Sequence, residues 1–403
     1  MHKRVLVLGS AGVDKRAAME AFAAGAARYS HVFRIVDFDK DFVEPIRPFF
    51  EHLNDDISLA ANTWSNAWDD FKREGFSENT ILCMHSAYVT AKHGARSVVD
   101  ISEVCENFKP DLIITLLDDV YSTRSRTSGQ KLSPTLEQLL MARRIEALFG
   151  DLAKGKMATK KMPVRHIFIS VNHPIECLIN LIVFEAEVTY LSFPISEPRK
   201  ELKKGDRTFV DLINSAHCMS LNEMRQDHGR CFISPLAIDE LPFVPPITAS
   251  DHAESADESP KKWKFDEAEK RWSLEELWGG ATLLRSDEPR VHEFSLGEII
   301  SARGIIETDV GWRDRRLALQ SDDLAVICPK PRNRNEITRG VKNEIQTAAP
   351  QAIPIHIWQE KTWDPDGKVE NEFAKPGSMG SSMVEDMAKI HETLEQLIKR
   401  GKT

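Results

Sequence analysis

Carboxylates gather in the last third of the chain with a spacing that could do chemistry. The stretch "GVKNEIQTA" sets Glu344 four residues after Gly340, at what the pattern predicts to be the first turn of a helix. Upstream, Asp314, Asp322 and Asp323 cluster about the start of a predicted strand. A carboxylate held below an electrophilic carbon can stabilise positive charge there or capture the carbon covalently. A second carboxyl with a raised pKa can hand a proton to the departing group. An acid in a helix's first turn is electrostatically favourable whatever its function, so Glu344 has a bland reading beside the chemical one. Further back, "YLSFPIS" ends a predicted strand in Ser192 and Pro194. Ligands of open α/β sheets bind at that carboxyl edge.

A second stretch carries phosphate chemistry in altered form. "VLVLGSAGVDKRA" reads as a strand, a glycine turn and a helix start. In that setting a phosphate loop of pattern G-x-x-x-x-G-K-[ST] presents backbone N–H groups and a lysine to phosphates. Gly9 and Lys15 fit, and Gly12 lies within the turn. Asp14 replaces the second glycine, however, and Arg16 replaces the hydroxyl that would hold Mg²⁺. An aspartate at the apex repels phosphate and an arginine cannot ligate a cation, which argues against phosphoryl transfer.

These residues need elements to hold them. "RVLVLG", "VFRIVDFD", "ILCMHS", "DLIITLLDD" and "VRHIFISV" are short β-rich runs, separated by helical stretches such as "DKRAAMEAFAAGAARY" and "SPTLEQLLMARRIEALFGDLA". A second alternation begins with "EVTYLSFPIS" and continues through "RTFVDLINSAHCMSL", "GRCFISPL", "SLGEIISARGIIETDVGWRDRRLALQ", "DLAVICP" and "IPIHIW". Strands alternating with helices predict an α/β protein with parallel sheets covered on both faces, doubly wound in each of two domains. The expected domains are 1–185 and 186–378, the second interrupted by a Pro, Ser and acid-rich insertion near 241–262. Met383, Met387, Ile390, Leu394 and Leu397 share one face of a predicted closing helix over 379–403.

A chain of 403 residues is too long for one ordinary core, in line with two domains. Its net charge of -9 gives no electrostatic footprint for duplex nucleic acid. The apolar run "CLINLIVF" falls far short of a bilayer crossing, and the N-terminus lacks the long apolar region of a signal peptide. The six cysteines are scattered without a CxxC pair, as expected of reduced thiols in a cytoplasmic protein without a metal site.

Residues 3 to 185 resemble the archaeal-type adenylate kinase group of P-loop nucleoside monophosphate kinases. The resemblance rests on "VLVLGSAGVDK", "HSAYVT", "ENFKPDLIITLLDDVYSTRSR" and "LEQLLMARRIEALF". It implies a nucleotide in the first domain, with Arg124, Arg126, Arg143 and Arg144 where the kinases hold phosphates and His85 at the sheet's carboxyl edge. The altered loop turns that implication into a nucleotide-binding or architectural relic. Residues 187 to 363 resemble the nucleoside 2-deoxyribosyltransferase family and its N-glycosidase relatives. Tyr190, Ser192 and Pro194 match that family's first strand and loop, and Asp314 and Asp322 repeat its eight-residue acid spacing. Gly340, Glu344, Ile345 and Ala348 match its G-x-x-x-E-[IL]-x-x-A helix start.

This second resemblance implies Glu344 as nucleophile and Asp314 as the residue that handles the base, with no cofactor required. Tyr190, Ser192, Pro194, Asp322, Asp323 and Gly340 would line the substrate. It also implies a homo-oligomer. Family members often carry a further acid shortly before the nucleophile, and "NRNEITRG" has none in register. Arg199, Arg332, Arg334 and Arg339 would suit a phosphate, which points to nucleotides as well as nucleosides. A salvage enzyme and a defence protein that depletes nucleotides both fit. Cleavage of NAD is the nearest competing activity, and a non-catalytic nucleotide-binding scaffold with both sites decayed is the reading from another class.

Overall fold

A computed structural model describes residues 3–46, 49–90, 94–127, 134–238, 262–264, 277–281, 293–328 and 338–359. The predicted closing helix over 379–403 and the arginines at 332 and 334 lie outside them, as does the predicted insertion apart from Lys262. The chain forms two compact units. The first takes residues 1–172, 238–265 and 283–311, and the second takes 173–237, 266–282 and 312–403.

The first unit is built on β1 (Arg4–Leu8), β2 (Arg34–Asp37), β3 (Thr80–Met84), β6 (Leu112–Leu117) and β7 (Arg165–Ser170), all parallel in the order β2-β3-β1-β6-β7. β3 and β6 are buried at every position, the mark of parallel strands covered on both faces. The covering helices are α1 (Lys15–Ala26), α2 (Phe49–Asp55), α3 (Ile57–Glu74), α4 (Ile101–Phe108), α5 (Val120–Thr127) and α6 (Leu136–Thr159). A small antiparallel pair, β4 (Tyr88–Thr90) and β5 (Gly94–Arg96), follows β3. Register pairs Leu8 with Met84 on one side and with Thr115 on the other. The turns after β1, β3 and β6 therefore open at one carboxyl edge, where Gly9, His85 and Asp118 begin. On one side the core is aromatic: Trp64 and Trp68 stack at 5.7 Å, and Phe38 meets each edge-on at 5.5 Å.

The second unit holds β8 (Glu187–Ser192), β9 (Arg230–Ile233), β12 (Asp323–Cys328) and β13 (Ile355–Gln359), again all parallel, in the order β13-β12-β8-β9. Its helices are α7 (Ile175–Val183), α8 (Ser196–Lys203), α9 (Thr208–Gln226) and α11 (Arg339–Ala348). Numbered within the unit, the strand order is 2-1-3-4. The chain leaves β8 towards one edge and β12 towards the other, so their carboxyl ends form the topological switch point at which ligands of open α/β sheets bind. Ser192 ends β8 opposite Val326 of β12.

The units divide at 172/173 rather than near 185, because α7 is tied to the second sheet. Asn180 donates to the carbonyls of Met224 and Arg230 at 2.9 and 2.8 Å, and the Cys177 thiol meets the Phe232 carbonyl at 3.4 Å. The chain then returns to the first unit. β10 (Lys262–Lys264) pairs antiparallel with β11 (Glu293–Ser295), and residues 296–311 of α10 (Leu296–Leu319) follow. Phe294, Ile299, Ala302, Ile306 and Val310 pack with Val120, Tyr121, Leu136, Leu139 and Leu140 as one apolar cluster. That contact is remote in sequence, and no local periodicity announces it. Among the described residues, no helix is long and apolar enough to cross a membrane and no group of acid, His and Cys side chains is placed to hold a metal ion. All six cysteines are free thiols.

Candidate functional site

β8 alternates its side chains, so Tyr190 and Ser192 point to one face of the sheet. α11 lays Glu344 against that face. The Tyr190 hydroxyl donates to Glu344 Oε1 at 2.8 Å, and the Ser192 hydroxyl donates to Oε2. All three residues are buried. Glu344 is the sixth of the ten residues of α11, whose first turn carries no acid, and Thr338 is the N-cap. The expectation of a first-turn acid is therefore corrected. The helix begins at Arg339, a turn before Glu344, so the helix dipole does not explain the residue.

Burial is the largest influence on the Glu344 carboxyl and the charge of Asp314 the next, and together they push it up to about 8. The hydrogen bonds from Ser192 and Tyr190 and the charge of Arg313 pull the other way. Asp314 is itself gripped by the neighbouring guanidinium: Arg313 Nε and Nη2 both donate to its Oδ1, at 3.1 and 2.9 Å. Arg313 is buried, while Asp314 stays partly exposed. The predicted pair Glu344 and Asp314 thus meets in one electrostatic neighbourhood. Arg313 was not legible in sequence, where it read as one of many charged residues in "RDRR". The Tyr190 hydroxyl is pushed well above its usual range, by burial first and then by the charges of Glu344 and Asp314. It therefore stays protonated as a donor.

Other predicted residues fall elsewhere. Pro194 is buried just past β8, Arg199 sits on α8, and Gly340 is exposed in the first turn of α11. A Cβ built on Gly340 meets no protein atom within 4 Å, so packing within the chain does not require a glycine there. Asp322 and Asp323 are not brought to Glu344; they stand at the amino end of β12, the opposite edge of the sheet. Asp322 accepts from the Val188 amide at 2.7 Å and Asp323 from Arg230 at 2.9 Å. Their expected role as substrate ligands is corrected to one of pinning β12 to β8 and β9.

In the first unit a cleft of about 310 Å³ opens at the carboxyl edge of the sheet. Lys15 is buried on its floor and donates to the Gly9 carbonyl at 2.8 Å. Gly12 has φ +86°, and a Cβ there would lie 2.8 Å from the Thr123 carbonyl, so the turn requires glycine. Asp39, which follows β2, accepts from the Tyr88 hydroxyl at 2.5 Å and from the His85 amide at 2.6 Å, and its carboxylate lies 2.8 Å from His85 Nδ1. Burial would raise Asp39, but His85, Lys15 and Tyr88 outweigh it and hold the carboxyl below its usual range. Behind them the Glu146 carboxylate takes the Ser86 and Ala87 amides, and burial lifts its pKa despite His85 and Lys15. Asp39, Tyr88 and Glu146 gave no signal in the sequence reading.

The expected phosphate arginines are committed to protein groups. Arg143 donates to the Asp118 carbonyl at 2.8 Å and to Asp309 at 3.2 Å, and Arg144 donates to Asp309 at 2.6 Å. Arg124 donates to the Pro134 carbonyl and stands over the Phe294 ring at 5.7 Å. Of the four, Arg126 alone lines the cleft, and it donates to the Gly12 carbonyl at 2.9 Å and to Asp118 at 2.5 Å. Burial, then the charge of Asp119, raises Asp118 to about 7 against the pull of Arg126. No protein-family model matches the chain, and no curated protein matches it either.

Proposed function

We propose that the second unit cleaves the bond between a base and its sugar in nucleosides or nucleotides, with Glu344 as the nucleophile. One observation carries the reading: a buried carboxylate held by two hydroxyl donors beside the carboxyl end of β8, where β8 and β12 form the sheet's switch point. Breaking a glycosidic bond passes through an oxocarbenium-like state, which an ionised Glu344 stabilises or captures as a covalent sugar ester. Tyr190 and Ser192 fix the carboxylate and leave its charge facing the reacting carbon. Asp314, held by Arg313, handles the departing base, and water or a second base then releases the sugar. The strand order 2-1-3-4 is that of the first four strands of a flavodoxin-like sheet, which supports kinship with the deoxyribosyltransferases.

The first unit is read as a kinase-like relic that binds a ligand without transferring phosphate. Arg16 stands where the Mg²⁺-binding hydroxyl belongs and pairs instead with Glu20 at 3.0 Å and Asp41 at 2.9 Å. A role in depleting or salvaging nucleotide pools follows, and the reading includes assembly as a homo-oligomer in the cytoplasm. The test is incubation with a mixture of nucleosides, nucleotides and NAD, with released bases read by mass spectrometry. Base release that is lost in Glu344→Ala supports the reading. Release of nicotinamide alone would reassign the substrate to NAD, and no release from any substrate would leave a binding protein.

A further inference from the structure

The first unit's cleft has the architecture of a phosphate site but not its charge. Asp14 is the N-cap of α1, and its carboxylate accepts from the Ala17 amide at 3.2 Å. The chain thus places its own anion at the helix N-terminus, where a bound phosphate would take those amides. Two of the cleft's cations are already used: buried Lys15 on the Gly9 carbonyl and against Asp39, and partly exposed Arg126 on the Gly12 carbonyl and Asp118. Lys40, on the rim, lies 3.8 Å from Asp37. Against these three cations, with His85 beside Asp39, the lining sets four acids, Asp14, Asp37, Asp39 and Glu44. The lining also carries apolar and aromatic side chains, Val43, Phe50, Val89, Leu139 and Ala142.

We propose that this cleft is a binding site for an unphosphorylated ring compound bearing hydroxyl or amino groups, of nucleoside size, and that it discriminates against the phosphorylated forms. A flat ring fits the apolar lining, and hydroxyl or amino donors meet the more exposed acids, Asp14 and Glu44. A volume of about 310 Å³ is at the small end for ligand sites, which suits one ring system and a sugar better than a nucleoside triphosphate. The site lies wholly within the first unit and stands independently of the chemistry assigned to Glu344.

The test uses the full chain carrying Glu344→Gln, so that nothing is turned over. Ribo- and deoxyribonucleosides, their 5′-monophosphates and ATP with Mg²⁺ are titrated by calorimetry. At least one nucleoside binds with a Kd below about 1 mM, and its monophosphate binds at least about tenfold more weakly. Adding Val89→Trp, which fills the cleft from its partly exposed side, weakens the nucleoside at least about tenfold while the melting temperature is kept. Asp14→Gly narrows the gap between nucleoside and monophosphate, and this arm reads the site even if the tryptophan variant fails to fold. Monophosphate or ATP binding as tight as the nucleoside overturns the proposal. So does the absence of nucleoside binding, or nucleoside binding that a folded Val89→Trp chain retains.

Discussion

Glu344 is held at both carboxylate oxygens by hydroxyl donors, yet its carboxyl titrates near 8 because it is buried beside Asp314. As the proposed nucleophile Glu344 must be ionised, so on that reading base release should rise about tenfold per pH unit up to about 8 and then level. Tyr190→Phe or Ser192→Ala removes a bond that lowers that pKa, so either should slow the reaction and move the rise to higher pH. A rate loss with an unmoved profile would deny that these hydroxyls act on Glu344. Replacing Glu344 by Gln or Ala should lower the rate roughly a thousandfold or more, read as base released per enzyme. Stability carries the same signature with its own sign. A carboxyl raised above its unfolded pKa keeps an extra proton in the folded state, so its contribution is full below about 4.5 and is lost as pH rises through about 8. The melting temperature of the wild type, measured relative to Glu344→Gln, should fall between pH 5 and pH 8.

A helix and a strand show how an element can depend on one small residue or on one charge. On α6, a Cβ built on Gly150 would lie 2.2 Å from the His166 ring, which is itself bonded to Thr115 at 2.8 Å and meets Asp151 at 3.0 Å. In an exposed helix, Gly→Ala would gain about 1 kcal/mol. Here the overlap dominates, and Gly150→Ala should cost about 1–3 kcal/mol instead, read by denaturant unfolding. Adding His166→Ala should restore part of the loss. At the amino edge of β12, Asp323→Ala should destabilise the fold while leaving the kinetics of the surviving folded enzyme near wild type. Asp323 faces Arg230 and not Glu344. A large loss of rate in folded protein would return Asp323 to the site.

At the scale of the molecule, the first unit is assembled from separate stretches of chain, and its last stretch completes a core. Asp309, fully buried, neutralises Arg143 and Arg144, while Phe294, Ile299 and Ile306 cover Leu136, Leu139 and Leu140. Removing one partner of a buried ion pair strands the other charge at a cost of about 3–5 kcal/mol. Asp309→Ala should therefore unfold the first unit more readily. A fragment ending at residue 185 should be expanded and prone to aggregate, as judged by its near-ultraviolet dichroism and its elution volume. A sharply melting fragment would show that residues 293–311 are dispensable.

How much of this was legible in advance follows from the range of the forces involved. Strands such as "RVLVL" and "LIITLL" announce themselves, because an apolar run bounded by turn residues and flanked by helical patterns has one stable use, a covered parallel strand. Glu344, Tyr190, Ser192 and Asp314 were nameable through the resemblance to the deoxyribosyltransferases, and strand alternation adds that Tyr190 and Ser192 share a face. The sequence alone could not tell that Glu344 lies a turn deeper in its helix than the pattern suggested. The helix starts after Thr338, which makes no side-chain cap bond, and not at Gly340. Nor could it show that the arginines of α5 and α6 are spent on protein partners, or that Asp322 and Asp323 belong to the far edge of their sheet. Local periodicity fixes which face a residue takes and little more. Which charge meets which partner is often decided by contacts between residues far apart in sequence, such as Arg143 with Asp309 and Arg230 with Asp323, and these exist only once the chain has closed on itself.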